Sequence, residues 1–171
     1  MVVPRAPETI RYGTGQAQAG DFLVALSPQG VCAISLGDNP KALVASLQQQ
    51  FPFATLVDDA AGLATLIAQT RSLLDNPGSV YPLTLDIRGT DFQQQVWQAL
   101  QRIPAGTRLT YTQLAEQLGN PKAVRAVAGA CAANTLAVVI PCHRVVRSDG
   151  SLSGYRWGQS RKQWLLERES Q

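Results

Sequence analysis

The sequence predicts an α/β chain of the α+β kind. A small N-terminal subdomain with a short antiparallel sheet and helices precedes a helical C-terminal subdomain built on a helix-turn-helix. Three observations predict this. Residues 8–37 carry strand-like runs between Gly- and Pro-containing breaks, residues 39–74 change to helical spacing, and helical signals dominate from Gly89 onward. The boundary is expected in the loop-rich stretch 76–89, giving subdomains of residues 1–88 and 89–171.

The strands are "ETIRYG", "DFLVALS" and "GVCAISLG". In the last, Val31, Ala33 and Ser35 alternate with Cys32, Ile34 and Leu36, which puts Cys32 on the face of Ile34 and Leu36 as a core residue. In "NPKALVASLQQQF", Asn39 suits a cap, Pro40 the first helical position, and Leu43, Val44 and Leu47 the buried stripe. A second helix is expected from Asp59 to Leu74, then a loop over 75–82 and a further strand at "LTLDI". Thr90 or Asp91 caps the next helix, with Phe92, Val96, Leu100 and Ile103 at helical spacing and a stop at Pro104 and Gly106; Trp97 is assigned to packing.

"LTYTQLAEQLGNPKAVRAVAGACAAN" carries the helix-turn-helix. Thr112 is read as the cap of a helix burying Leu114, Ala115 and Leu118, and Gly119-Asn120-Pro121 ends it. Pro121 then opens a second helix from Lys122 to about Cys131. Small residues on that helix, including Ala123 and Ala126, permit close approach of another backbone, and Lys122 and Arg125 share a face at i, i+3. Residues 1–90 hold five Lys/Arg against seven Asp/Glu, whereas residues 91–171 hold ten against five. The basic half is where a polyanion such as DNA would be met.

With 171 residues, 45% hydrophobic and 16% charged, the chain has the composition of a folded domain. It has no run of the ~18 apolar residues that a membrane span needs, and Pro4, Arg5, Pro7 and Glu8 break any signal-peptide core. A cytoplasmic protein with no membrane partner is expected. Cys32, Cys131 and Cys142 are odd in number and lack C-x-x-C spacing, and His143 is the single histidine, so neither a disulfide framework nor a zinc site is expected.

The stretch "VVIPCHRVVRSDGSLSGYRWG" is the chemical centre of the sequence. An apolar run ends in Pro141 and presents Cys142 beside His143. A thiol is reactive as thiolate, which needs a base or cation nearby. Neighbouring side chains on an extended segment point apart, so the imidazole would reach the sulfur only across a bend or through a water. A third group must orient the imidazole, and Glu167 and Glu169 in "SRKQWLLERES" are the candidates. Taken alone, Cys142 also fits a small buried residue at a strand end.

Ile140-Pro141-Cys142-His143-Arg144-Val145 resembles the [IV]-P-C-H-R-V signature of the O6-alkylguanine-DNA alkyltransferases, or methylated-DNA–protein-cysteine methyltransferases. "FQQQVWQAL", "TYTQLAEQLGNPKAVRAV", "ANTLAVVIPCHRVV", "GSLSGYRWG" and "RKQWLLERE" follow in the family's order and cover residues 92–169 almost without a break. "LDIRGTDFQQQVWQAL" and "LSGYRWG" are similar to the C-terminal domain of the bacterial adaptive-response alkylation-repair proteins.

The resemblance implies irreversible transfer of a methyl or other alkyl group from O6 of guanine, or O4 of thymine, in double-stranded DNA to Cys142, without a cofactor or metal. It implies a monomer that meets the minor groove and flips the damaged nucleotide out. Cys142 would be the nucleophile, His143 its proton relay through water, and Glu169 the group polarising His143. Tyr111 would contact the rotated phosphate and donate a proton to the leaving base, and Asn134 would hinge the recognition helix to the active-site segment. Arg125 would fill the stack, with Thr110, Lys122, Ala123 and Ala126 beside it on DNA. Ser153, Tyr155, Arg156 and Trp157 would wall the substrate pocket, Trp157 standing where some relatives have glycine. The regulatory and metal-binding segments of the multidomain relatives are not expected. The alternatives are a protein that recognises alkylated DNA without repairing it, a helix-turn-helix regulator, and a cysteine hydrolase.

Overall fold

Two tight turns fold the first strands into a meander. The computed structural model describes residues 7–152 and 154–170. Strand β1 (Thr9–Ala17) turns at Gln18-Ala19 into β2 (Gly20–Ser27), which turns at Pro28-Gln29 into β3 (Gly30–Gly37), both pairings antiparallel. Helix α1 (Pro40–Gln50) then crosses over to β4 (Thr55–Asp58), a strand absent from the sequence expectation that runs parallel to β1. Sheet order is β3-β2-β1-β4. Asn39 caps α1 as expected, its side chain accepting from the Lys41 amide at 2.8 Å.

The alternation in β3 is broken by a bulge. Ala25 pairs with Ala33 and Leu26 with Val31, so Cys32 is the extra residue. Cys32 therefore joins Ala33, Ile10, Leu23, Leu43 and Leu47 under α1, while Val31, Ile34 and Leu36 face the larger core. It is buried as expected but on the opposite face, because one inserted residue reverses the side-chain parity.

Helix α2 (Ala64–Asp75) starts later than Asp59, whose carboxylate instead accepts from the Gly62 amide in the preceding turn. Leu83–Ile87 forms no strand: it makes one bridge, Leu85 to Val31, beside the β3 edge. Helix α3 (Asp91–Gln101) is capped by Thr90 with a reciprocal bond from Gln93 and buries Val96, Trp97 and Leu100. The larger core runs without interruption from Phe22 and Ile34 of the sheet through Leu74 and Leu100 to Leu165.

A two-residue strand β5 (Leu109–Thr110) leads into α4 (Tyr111–Gln117). Thr110, not Thr112, is the cap. Thr110 has Gln113 three residues on and the two exchange bonds at 3.0 and 2.9 Å, whereas Thr112 is followed at that distance by Ala115. Helix α5 (Val124–Ala132) also starts later than expected. Pro121 occupies the second position of a turn closed by the Ala123 amide on the Asn120 carbonyl, so it opens a turn, and Lys122 lies outside the helix. Gly119 takes φ +78°, the left-handed value that ends α4.

After α5 come a 3-10 turn (Cys142–Arg144), β6 (Val145–Val146), which pairs parallel with β5, and α6 (Gln159–Glu169). Among the described residues no helix is long and apolar enough to cross a membrane. Trp97 is 3% exposed and its indole N–H donates to the Ala130 carbonyl at 2.9 Å, joining α3 to α5. Trp97→Phe is expected to cost about 1–2 kcal/mol in urea denaturation while leaving helix content unchanged.

Candidate active site

The segment from Asn134 to Pro141 is shaped by backbone bonds that few sequences would adopt unaided. Val138 has φ +71°, and the Val139 amide donates to the Ala137 carbonyl at 2.8 Å across it, a γ-turn of the rare hand. A second γ-turn follows at Pro141, φ −84° and ψ 62°, where the Cys142 amide donates to the Ile140 carbonyl at 2.8 Å. Strand β3 holds one side: the Ile34 amide donates to the Thr135 carbonyl and the Ala137 amide to the Ile34 carbonyl. Asn134, fully buried, holds the other. Its Nδ2 donates to the Ile140 carbonyl at 2.8 Å and to Cys142 Sγ at 3.3 Å, and its Oδ1 accepts from the Leu136 amide.

Out of this segment the 3-10 turn brings Cys142, His143 and Arg144 into the interior. His143 Nε2 lies 2.7 Å from Glu169 Oε1. Arg144 grips the same carboxylate through Nε and Nη2 and donates from Nη1 to the Ile103 carbonyl at 2.6 Å. Both the imidazole and the Glu169 carboxylate are fully enclosed. Glu167, the other acidic candidate, accepts from Gln163 on the exposed side of α6.

Burial alone would raise the Glu169 pKa, but its hydrogen bonds from His143 and Arg144 override this and bring it down to about 2. Burial pushes His143 down, against the pull of Glu169, so the ring is neutral at pH 7. An ionised carboxylate only accepts, so Nε2 carries the proton and Nδ1 keeps a lone pair. That Nδ1 is buried and has no hydrogen-bond partner among the described residues. Burial also raises Cys142; the Asn134 bond and the Lys162 charge lower it in part. The thiol is therefore neutral at rest, as is the imidazole of the next residue.

Beside this site opens a cleft of about 640 Å3. Tyr111, Thr112, Arg125, Arg147 and Gly154 line it; Cys142, 4% exposed, does not. The β5–β6 pairing sets Tyr111, the first residue of α4, next to the strand that follows the cysteine turn. Burial raises the Tyr111 hydroxyl to about 12, so it stays protonated. Lys122 and Ala126 are exposed beside Arg125, Ala123 is half-buried, and Thr110 uses its hydroxyl in capping. Tyr155 is buried, its hydroxyl without a hydrogen-bond partner among the described residues. Trp157 is buried away from this cleft, in a groove with Leu36, Gly37 and Asp38, and Arg156 reaches the Asn134 carbonyl at 3.0 Å. Ser153 lies outside the described residues.

Three residues of the site carry no role in the sequence reading. Arg144 clamps Glu169, and Arg147 adds a cation to the cleft. Lys162 is fully buried, its Nζ without a hydrogen-bond partner among the described residues and 5.8 Å from the ring centroids of both Tyr111 and Tyr155. A signal existed: Lys162, Leu165, Leu166 and Glu169 follow the i, i+3, i+4, i+7 stripe of a buried helix face, which also separates Glu169 from Glu167. Among the described residues no cluster of His, Cys, Asp and Glu is arranged to hold a metal ion.

A model of the DNA-binding domain of 6-O-methylguanine DNA methyltransferases matches residues 91–171. The bifunctional transcriptional activator/DNA repair enzyme Ada of Escherichia coli is 52% identical over 95% of this chain and 46% of its own length. The methylated-DNA–protein-cysteine methyltransferase of Kluyveromyces lactis is 54% identical over 47% of this chain and 43% of its own. The chain thus spans about half the length of the curated relatives it matches. Among solved structures, Mycobacterium tuberculosis OGT in complex with DNA superposes with a TM-score of 0.75 at 32% identity, covering 94% of this chain and 92% of that one. The O6-methylguanine methyltransferase of the same organism gives 0.71 at 31%, covering 94% and 93%.

The Glu169 pairing has an acid signature. A carboxylate whose folded pKa is depressed contributes stability above its unfolded value and loses it as pH falls through the folded one. Wild-type protein is expected to lose stability between pH ~4.3 and about 2. Glu169→Gln should flatten that limb in denaturation measured across the same range.

Proposed function

The chain belongs to the O6-methylguanine-DNA methyltransferase family, and on that premise we propose that it repairs alkylated DNA by direct reversal. An alkyl group passes from O6 of guanine, or O4 of thymine, to Cys142 in one turnover per molecule. The observation that carries this reading is the buried run of Asn134, Cys142, His143 and Glu169. A neutral thiol is followed in the same buried turn by a neutral imidazole whose Nε2 is held on an ionised carboxylate.

The reaction follows from those states. His143 Nδ1 takes the thiol proton through a bridging water, and Glu169 stabilises the imidazolium that forms. Cys142 Sγ attacks the saturated alkyl carbon; the S–C bond forms, the C–O6 bond breaks, and the electron pair moves onto the base. Tyr111, still protonated, donates to the departing base and recovers its proton from solvent. Attack at saturated carbon creates no tetrahedral oxyanion, so no oxyanion hole is required. The thioether product has no group to remove it, which makes the protein single-use, and no cofactor enters.

The nucleic-acid side rests on charge and space. Arg125 and Arg147 flank a cleft whose volume lies in the range of ligand sites, and the similar tuberculosis protein was solved in complex with DNA. A reactive atom this deeply buried requires the damaged nucleotide to leave the duplex, which costs a few kcal/mol of unstacking. Arg125 fills the gap, with Thr110, Lys122, Ala123 and Ala126 along the minor groove. Tyr155, whose ring shares Lys162 with Tyr111, forms the far wall, with Arg156 and Trp157 behind it. Residues 89–171 are the DNA-binding and alkyl-acceptor unit, residues 1–88 its support, and one molecule suffices.

Intact-mass spectrometry after incubation with duplex DNA containing O6-methylguanine tests the reading. One added methyl on wild type, mapped to Cys142 and missing from Cys142→Ala, is expected; binding without any mass change would sink it. Lys162 provides a second check. Its charge lowers the Cys142 pKa, so Lys162→Met should shift the pH profile of the transfer rate to higher pH.

A further inference from the structure

Arg161 stands in the first turn of α6, where a cation opposes the helix dipole. The helix does not explain it; its acceptors do. Nε donates to the Ala19 carbonyl at 3.0 Å, in the turn between β1 and β2. Nη1 donates to the Trp157 carbonyl at 3.1 Å, just before α6, and Nη2 to the Asp38 carboxylate between β3 and α1. One guanidinium thus ties three segments, with Ala19 and Asp38 lying 142 and 123 residues from it in sequence and Trp157 just before its own helix. The Asp38 side chain is 91% exposed against 17% for Arg161. The two carbonyls therefore supply the grip and the exposed ion pair adds little.

The cradle is built to admit the side chain. Gly20 has φ +136°, and a Cβ there would come within 2.9 Å of the Gly37 carbonyl oxygen and 3.0 Å of Arg161 Nη2. What the cradle holds is the wall segment Tyr155–Gly158. Tyr155 and Trp157 pack edge to face, 5.4 Å between centroids. Arg156 covers the indole at 5.5 Å and donates to the Asn134 carbonyl. One end of the wall is therefore pinned to the hinge beside Cys142 and the other to the N-terminal sheet.

We propose that Arg161 is a positioning residue that fixes the Tyr155–Trp157 segment to the N-terminal sheet and so, through Tyr155, which shares Lys162 with Tyr111 of the cleft, sets which alkyl groups react. This rests on the function proposed above. The guanidinium fork meets three acceptors in fixed directions, which a single lysine ammonium does not reproduce. With the fork lost, the wall is anchored at one end only. A methyl group then loses close positioning against Sγ, while a longer alkyl chain gains room.

The test compares wild type, Arg161→Lys and Arg161→Ala on duplexes carrying O6-methylguanine or O6-butylguanine, with alkylation of Cys142 followed by intact mass. The methyl-transfer rate should fall by about tenfold or more, because small misplacements of reacting atoms are costly. The butyl rate should fall less, so the butyl-to-methyl ratio rises in both variants. A purely structural loss lowers the folded fraction and scales both rates together; an unchanged ratio would overturn the proposal. Arg161→Lys, which keeps the charge and the stem, decides the matter if Arg161→Ala does not fold. Wild type that transfers no methyl would defeat the function itself, whereas normal transfer with an unmoved ratio defeats only the role of Arg161.

Discussion

One buried carboxylate organises the active site. Glu169 is fully enclosed, and an enclosed charge is tolerated only when paired and hydrogen-bonded. Its partners, His143 and Arg144, are consecutive residues on the turn that starts with Cys142. A single anion therefore fixes the orientation of the whole turn. Arg144 extends the tie to the Ile103 carbonyl beyond α3, so the end of α6, the end of α3 and the cysteine turn meet at one point. Arg144 also contributes to protonation. Burial keeps His143 neutral, the Arg144 charge adding to that effect, while hydrogen bonds from His143 and Arg144 together keep Glu169 ionised.

The segment before the turn is held under strain. A β-branched residue at φ +71° is disfavoured by roughly 1–3 kcal/mol, and a γ-turn follows three residues later. Such a path persists only where its surroundings over-determine it. Here the edge of β3 supplies two backbone bonds, and Asn134 adds a second donor to the Leu136 and Ile140 carbonyls, which already accept from the Ile140 and Cys142 amides. The same amide touches Cys142 Sγ. Backbone geometry and thiol electrostatics thus share one side chain.

Legibility in the sequence followed the range of the interaction. The caps at Asn39 and Thr90 are local, and both were readable. The cap at Thr110 was misassigned to Thr112, although Gln113 three residues on was available to decide it. The bulge at Cys32 depends on pairing with β2, and β4 exists because β1 offers it an edge; neither leaves a trace within its own residues. Cys142 and His143 were legible from their motif. The roles of Arg144, Lys162 and Arg161 depend on partners brought in by the packing of α6, Lys162 alone advertising itself through a charge on an apolar stripe.

On the proposed reaction, burial of Cys142 decides how a single-use protein avoids being wasted. A thiolate held ready in water would react with any alkylating agent or oxidant. Here desolvation keeps Cys142 a thiol, and the groups that favour its ionisation, Asn134 and Lys162, only partly offset that effect. In the proposed reaction the proton leaves as the S–C bond forms, so negative charge never rests on sulfur without an alkyl carbon in front of it. The base that occupies the site supplies the electrophile and, by receiving a hydrogen bond from Tyr111, the driving force. Selectivity and protection are then the same property: the thiol becomes a nucleophile only when the correct group fills the space beside it.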